Sequence, residues 1–214
     1  MKKTYIYGCG GIGCELADIL QDKIDLIGFI DDNIEIKECY GYKVYSFEEI
    51  IQKENIDSID VVISVGEPNI RERLSLKLEK YNINEITINL SSFCSKKTSI
   101  IGKGTLIHIG AFISIDTKIG RSCIINKNAI VGHNSIVNDY SVISPHATLG
   151  GDITIGKKCF IGLGASIRNG IKIGNNSIVG MGAVVTHDIE DNLVVAGNPC
   201  KVLRTNISGN VFSH

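Results

Sequence analysis

Two groups of residues have side-chain types and spacing that could carry chemistry. His133 offers an imidazole that can accept a proton near neutral pH, and Gly151 follows it 18 residues later. Near the start, the string Gly-Cys-Gly-Gly-Ile-Gly is typical of a loop whose backbone N–H groups approach a phosphate. The acidic pair Asp31 and Asp32 follows the next predicted strand, where a carboxylate can accept hydrogen bonds from a ribose. The glycines of the loop are Gly8, Gly10, Gly11 and Gly13.

A six-residue repeat contains the histidine and the later glycine. The residue two positions before each repeat position is small, except at Ile153 and Ile171. This period is typical of a solenoid with short strands as sides and turns as corners. The residue directly after each repeat position is often glycine, which we expect to supply unusual backbone angles at the corners. The repeat positions, called here the ladder residues, are fifteen aliphatic side chains: Ile101, Ile107, Ile113, Ile119, Ile125, Val131, Val137, Ile143, Leu149, Ile155, Ile161, Ile167, Ile173, Val179 and Val185.

The repeat resembles that of the hexapeptide-repeat acyltransferases. That resemblance implies a left-handed parallel β-helix with three hexads per coil, so that residues 18 apart stack on one another. Gly151 is then expected directly on His133, leaving open space beside the imidazole.

The first ninety residues alternate between strand and helix patterns. We predict strands over 4–8, 25–30, 59–65 and 85–90, and helices after the glycine loop, over 47–53 and over 69–81, the last capped by Asn69. This alternation is typical of a small Rossmann-like α/β domain. We place that domain, as a nucleotide-sugar-binding domain, at 1–92, and the β-helix with an irregular tail at 93–214.

The order of the two domains resembles the sialic acid O-acetyltransferases and the nucleotide-4-amino-sugar N-acetyltransferases. The resemblance rests on the glycine loop, Phe29 to Asp32, Val65-Gly66 with Arg71, Asn126, His133, Gly150-Gly151 and the string from Gly197 to Lys201.

The resemblance implies a role for each of these residues. His133 is the expected general base, and a backbone N–H at Gly151 is the expected oxyanion donor. Asn134 stands where the family usually has a carboxylate beside the base. The residues expected to bind the nucleotide-sugar are Gly8, Gly10, Gly11, Gly13, Asp31, Asp32, Arg71 and Asn126, and those expected to contact acetyl-CoA are His146, Gly162, Gly180, Gly197, Pro199 and Lys201.

Composition narrows the classes of function. The formal net charge of −1 gives no basis for binding nucleic acid, and no apolar run is long enough to enter a membrane. Seven cysteines without a CxxC pair are typical of thiols in a reducing compartment, so we expect a cytoplasmic protein. We expect no metal, because β-helical carbonic anhydrases need a close histidine pair that this sequence lacks.

The preferred interpretation is an acetyl-CoA-dependent N-acetyltransferase for a UDP- or dTDP-linked 4-amino sugar, used in bacterial surface glycan synthesis. The resemblance also implies a homotrimer with acetyl-CoA in the grooves between subunits. Outward-pointing isoleucines at 124, 130, 136 and 178 would be covered there. Three alternatives stay open: an O-acetyltransferase for sialic acid or a polysaccharide sugar, a non-catalytic sugar-nucleotide binding module, and, less favoured, an NAD oxidoreductase.

Overall fold

The structure is a computed structural model and describes residues 2–33 and 35–211. The chain folds as two compact units. The first comprises Met1–Gly66 and Arg73–Ile86, and the second comprises Glu67–Glu72 and Thr87–His214. Within the described ranges, no helix combines the length and the apolar character needed to cross a membrane.

The first unit is a six-stranded sheet with helices in its connections. Its strand order is β3-β4-β2-β1-β5-β6, and all pairs are parallel except β3 with β4. A capping box formed by Ser46 and Glu49 starts α2, and a short 3-10 turn spans Ile56–Ser58. The elements are β1 (Lys3–Tyr7), α1 (Gly11–Leu20), β2 (Asp25–Ile30), β3 (Glu38–Cys39), β4 (Tyr42–Tyr45), α2 (Phe47–Lys53), β5 (Ile59–Ile63), α3 (Pro68–Lys80) and β6 (Asn84–Glu85).

Two sequence predictions for this region are wrong in detail. The third helix begins at Pro68 rather than after an Asn69 cap, because proline needs no N–H partner in the first turn. The strand predicted over 85–90 is two strands. Asn84–Glu85 pairs with β5, whereas β7 (Ile88–Asn89) pairs with Leu106 and Ile107 of the repeat region.

The second unit is a parallel β-helix of two-residue strands on three faces. Residues 18 apart pair in register from coil to coil; Leu106 is followed on its face by Ile124, Val142 and Phe160. After β8 (Phe93–Cys94), the strands are β9 (Ile100–Ile101), β10 (Leu106–Ile107), β11 (Phe112–Ile113), β12 (Lys118–Ile119), β13 (Ile124–Ile125), β14 (Ile130–Val131), β15 (Ile136–Val137), β16 (Val142–Ile143), β17 (Thr148–Leu149), β18 (Thr154–Ile155), β19 (Phe160–Ile161), β20 (Ser166–Ile167), β21 (Lys172–Ile173), β22 (Ile178–Val179), β23 (Val184–Val185), β24 (Leu193–Ala196) and β25 (Lys201–Thr205).

The three faces meet at three edges. Face 1 contains β7, β10, β13, β16, β19, β22 and β24, with β25 antiparallel at its end. Face 2 contains β8, β11, β14, β17, β20 and β23, and face 3 contains β9, β12, β15, β18 and β21. The turn after Val131, which joins face 2 to face 3, carries His133 and is called the His133 edge. The turn after Ile125, which joins face 1 to face 2, is called the Asn126 edge.

The ladder residues form the interior of the β-helix. Every one from Ile107 to Val185 is buried, and Ile101 is partly buried at the start of the stack. The small residues two positions earlier, such as Ala129 and Ser135, are also buried. One small and one branched side chain per hexad therefore fill the narrow interior at close packing.

The prediction that the glycines after the ladder residues supply unusual backbone angles is wrong. These glycines do not have positive φ; a Cβ on Gly162, for example, would lie 2.6 Å from the Met181 backbone of the next coil. Close approach of stacked backbones thus requires them. The left-handed conformation lies at the third residue after each ladder residue, where φ is between 47° and 78° at all fourteen positions from Gly104 to Gly182.

Two of the four isoleucines expected on an exposed surface are covered within the single chain. Ile124 and Ile178 on face 1 are buried, whereas Ile130 and Ile136 on faces 2 and 3 are exposed. Ile130 continues a column on face 2 in which the rings of Phe93 and Phe112 stack at 4.9 Å. We call Phe93, Phe112 and Ile130 the apolar column.

Candidate active site

The His133 edge brings together the two residues expected to act on the acyl group. A Cβ placed on Gly151 would lie 2.5 Å from both Cε1 and Nε2 of His133, so the imidazole lies directly over the glycine. Both residues belong to one chain, one coil apart. The His133 side chain is 50% exposed, which leaves it accessible to a ligand.

Backbone hydrogen bonds at this edge join the turns of successive coils and do not use the N–H of Gly151. The N–H of Asp152 donates to the carbonyl of His133 at 2.8 Å, and the N–H of Gly170 donates to the carbonyl of Gly151 at 3.0 Å. Across residues 2–33 and 35–211, no protein group accepts a hydrogen bond from the N–H of Gly151. A backbone donor beside a histidine can stabilise an oxyanion that forms next to it.

A carboxylate stands beside the imidazole although residue 134 is not acidic. Oδ2 of Asp152 lies 4.0 Å from Nδ1 of His133. Oδ1 of the same carboxylate accepts a hydrogen bond from Nδ2 of Asn134 at 3.0 Å. The negative charge at this edge thus comes from the following coil.

In the first unit, the glycine loop contains two kinds of glycine. Gly8 has φ of 113°, and a Cβ on Gly13 would collide with the Gly8 carbonyl, so both are required by the fold. Gly10 and Gly11 have nothing within 4 Å of a Cβ. Gly10 is the N-cap of α1, and because glycine has no side chain to cap the helix, the first N–H groups of that helix are available to an anion.

The two aspartates after β2 have different surroundings. Asp31 accepts hydrogen bonds from the N–H of Cys9 and the N–H of Asn33, both at 2.9 Å, so its carboxylate fastens the glycine loop. Asp32 accepts a hydrogen bond from the Tyr7 hydroxyl at 2.5 Å and lies 3.6 Å from the ammonium of Lys77. Burial raises the pKa of Tyr7, which therefore stays a hydroxyl donor. Of the two side chains, that of Asp32 is exposed and that of Asp31 is half-buried.

Arg71 has a structural role rather than a place in the substrate site. Its side chain is fully buried, and its Nε donates to the carbonyl of Ser122 at 2.8 Å. A guanidinium used in this way cannot also reach a nucleotide-sugar. The expectation that Arg71 binds substrate is therefore corrected.

The remaining predicted residues lie away from the His133 edge. Asn126, Gly162, Gly180 and His146 follow face 1 strands and occupy the Asn126 edge. Oδ1 of Asn126 accepts a hydrogen bond from the N–H of Lys127 at 2.9 Å, and His146 is exposed. In the tail, Gly197 has φ of 99°, the peptide before Pro199 is cis, and Lys201 is exposed at the start of β25.

Sequence reasoning missed Asp152, although a signal for it was present. Asp152 follows Asn134 by 18 residues, the same step that relates Gly151 to His133. Among the described residues, no three His, Cys, Asp or Glu side chains are grouped in a way that could hold a metal ion.

Three family models match successive parts of the chain. The PglD N-terminal domain matches residues 3–78. The model described as bacterial transferase hexapeptide (six repeats) matches residues 116–151, and the hexapeptide repeat of succinyl-transferase matches residues 152–187. The chain thus joins a PglD N-terminal domain to the hexapeptide repeats of bacterial transferases. It is therefore an acyltransferase, and the predicted α/β domain followed by a left-handed parallel β-helix is confirmed.

Two solved structures resemble nearly the whole chain. The acetyltransferase domain of PglB from Neisseria gonorrhoeae FA1090, in complex with acetyl coenzyme A, is 28% identical with a TM-score of 0.86, over 94% of this chain and 99% of that one. WeeI from Acinetobacter baumannii AYE is 28% identical with a TM-score of 0.80, over 95% and 100%.

A third structure shares the fold at lower identity. It is a histidine-to-asparagine mutant of perosamine N-acetyltransferase from Caulobacter crescentus, in complex with CoA and GDP-perosamine. It is 22% identical with a TM-score of 0.87, over 95% of this chain and 98% of that one. A comparison with curated proteins yields no match.

Proposed function

We propose that this acyltransferase moves the acetyl group of acetyl-CoA to the amino group of a nucleotide-linked amino sugar. The observation that carries the proposal is the stacking of His133 on Gly151, with the Gly151 N–H open beside the ring. The solved relatives hold acetyl coenzyme A in one case, and CoA with a nucleotide-linked amino sugar in another.

In the proposed mechanism, His133 is the general base. The sugar amine attacks the thioester carbonyl, and Nε2 of His133, the ring nitrogen that does not face Asp152, takes the proton released by the amine. The negative charge of the tetrahedral intermediate is stabilised by the N–H of Gly151. The intermediate then expels the thiolate of CoA, which takes the proton back from the imidazolium.

The nucleotide-sugar is proposed to bind at the start of α1. Gly10 and Gly11 leave room for a diphosphate against the helix N-terminus, and Asp32 is positioned after β2 to accept hydrogen bonds from the nucleoside. The identity of the base stays open between uracil, thymine and guanine.

We also propose a cytoplasmic homotrimer. All seven cysteines are free thiols, which fits a reducing compartment. Three of the residues proposed for the acyl donor, His146, Gly162 and Gly180, lie on the Asn126 edge, whereas His133 lies on another edge of the same β-helix. Packing of parallel copies about a three-fold axis would bring the His133 edge of one chain to the Asn126 edge of its neighbour.

The test is a CoA-release assay with acetyl-CoA and a panel of acceptors. The panel contains UDP-, dTDP- and GDP-linked 4-amino sugars, sialic acid and a neutral hexose. We expect turnover with one class of nucleotide-linked amino sugar. We expect His133→Ala to lower kcat by ~10²–10⁴-fold while leaving acetyl-CoA affinity unchanged. Release only with hydroxyl acceptors would assign the chain to O-acetylation, and NADH binding without CoA release would overturn the proposal.

A further inference from the structure

Asp152 is joined to the proposed base in two ways. Its backbone N–H donates to the carbonyl of His133 at 2.8 Å, which fixes the two turns on one another. Its carboxylate lies with Oδ2 4.0 Å from Nδ1 of His133. This separation is longer than a hydrogen bond, and the imidazole is half exposed, so rotation of the ring can close it.

Asn134 holds that carboxylate in position. Nδ2 of Asn134 donates to Oδ1 of Asp152 at 3.0 Å and leaves Oδ2 directed toward the imidazole. An amide at residue 134 can donate this hydrogen bond, whereas a carboxylate there would repel Asp152. The uncharged Asn134 is therefore a suitable neighbour for the charged Asp152.

We propose that Asp152 is the positioning residue of His133, held by Asn134. A carboxylate at Nδ1 favours the tautomer that carries its proton on that nitrogen, and this leaves the Nε2 lone pair free to act as a base. The same charge stabilises the imidazolium that forms after proton transfer. The inference rests on the proposed function, and it explains how this chain works without an acidic residue next to its histidine.

A purely structural role for Asp152 is the competing explanation. Asp152 has φ of 59°, a left-handed conformation that aspartate and asparagine tolerate well. Asp116 occupies the same turn position two coils earlier, with φ of 54°. Its backbone N–H donates to Oγ1 of Thr98. Because Asp116 is two coils from Asp152, the change Asp116→Asn is a matched control for Asp152→Asn.

The kinetic test compares three variants of the full chain in the CoA-release assay. We expect Asp152→Asn to lower kcat by about 10–100-fold with little change in either KM, which is less than the ~10²–10⁴-fold loss on removing the base. Asp116→Asn should keep wild-type kinetics. The double variant Asn134→Asp/Asp152→Asn exchanges the amide and the carboxylate, and it should recover part of the lost kcat. Wild-type kcat in Asp152→Asn, or an equal loss in Asp116→Asn, would overturn the proposal.

A second measurement does not depend on activity. Long-range ¹H–¹⁵N spectra of the neutral imidazole distinguish the two tautomers, and His133→Ala identifies the resonance. We expect the wild type to carry the proton on Nδ1, and Asp152→Asn to increase the Nε2–H population. If the wild type releases no CoA but Asp152→Asn still increases the Nε2–H population, the proposed function is rejected and the role of Asp152 is kept. An unchanged tautomer would reject that role whatever the activity.

Discussion

A side chain at Gly151 would occupy the space of the His133 ring. A Cβ there would meet Cε1 and Nε2 at 2.5 Å, so Gly151→Ala must displace the imidazole. We expect kcat to fall by about 10²-fold, the scale of a misplacement of about 1 Å. The melting temperature should change little, because Gly151 does not have a left-handed φ and the ring is half exposed. A variant that loses its fold rather than its rate would contradict this expectation.

The site at residue scale was partly predictable. His133 and Gly151 follow from the repeat once a coil is taken as 18 residues. The sequence alone favours Asn134→Glu as a neutral or activating change, since it restores the usual charge. The hydrogen bond from Asn134 to Asp152 reverses that expectation, because two carboxylates would then face each other. The expected effect of Asn134→Glu depends on the directions of the Asn134 and Asp152 side chains, and residue spacing carries no information about those directions.

At the scale of elements, the glycine loop and α1 allow a matched pair of substitutions. Gly10→Ala adds a methyl group where nothing lies within 4 Å, so the fold should be retained. Gly13→Ala places a methyl group against the carbonyl of Gly8 and should lower the melting temperature. We expect calorimetry on Gly10→Ala to show at least about 10-fold weaker binding of the nucleotide-sugar, because the methyl group blocks backbone approach to the diphosphate.

That expectation has a clear contrary outcome. If Gly10→Ala binds the nucleotide-sugar as well as the wild type does, the start of α1 is only a tight turn. If Gly13→Ala has wild-type stability, the close contact with the Gly8 carbonyl does not explain the glycine at residue 13.

Two cysteines inside the β-helix predict a loss of stability at alkaline pH. Burial raises the pKa of Cys123 to about 12 and that of Cys159 to about 11, from an ordinary value of 9.0. Between the ordinary pKa of 9.0 and the raised pKa of each thiol, the folded chain keeps thiol protons that the unfolded chain releases. Their stabilisation is therefore complete below pH 9 and is lost as the pH rises through 11 to 12.

Urea unfolding at pH 8 and pH 10.5 measures this effect. The double variant Cys123→Ala/Cys159→Ala is a natural control, because alanine already fills the same interior position in other hexads, as at Ala129. We expect the variant to lose less unfolding free energy than the wild type between the two pH values. Equal losses would assign the alkaline effect to other groups.

Elements were predictable where the physical signal is local. The ladder is visible because each member is aliphatic and each is needed inside. The sequence pattern did not predict where the β-helix starts, because Asn89, which occupies a ladder position one coil before Ile107, is polar. The corner glycines were located but misinterpreted, since a contact between stacked coils leaves no mark within a single hexad.

At the scale of the whole molecule, the apolar column predicts assembly. Phe93, Phe112 and Ile130 are each more than 40% exposed in the single chain and adjoin one another on face 2. We expect sedimentation to show a trimer at micromolar concentration and Ile130→Asp to shift it toward monomer. Gln52→Glu adds the same charge on the exposed side of α2 and should stay trimeric. A wild-type monomer would contradict the proposed assembly.

The stacking of the coils also limits how the length of this chain can change during evolution. The contacts of His133 with Gly151 and Asp152 join residues in consecutive coils, so the 18-residue step is part of the site itself. A loss of six residues between Asn134 and Gly150 would keep each ladder residue inside, yet it would bring a different edge against His133. Whole coils can be gained or lost beyond Asp152 without altering these contacts. Between His133 and Asp152, even a change that the fold tolerates would remove the proposed catalytic arrangement.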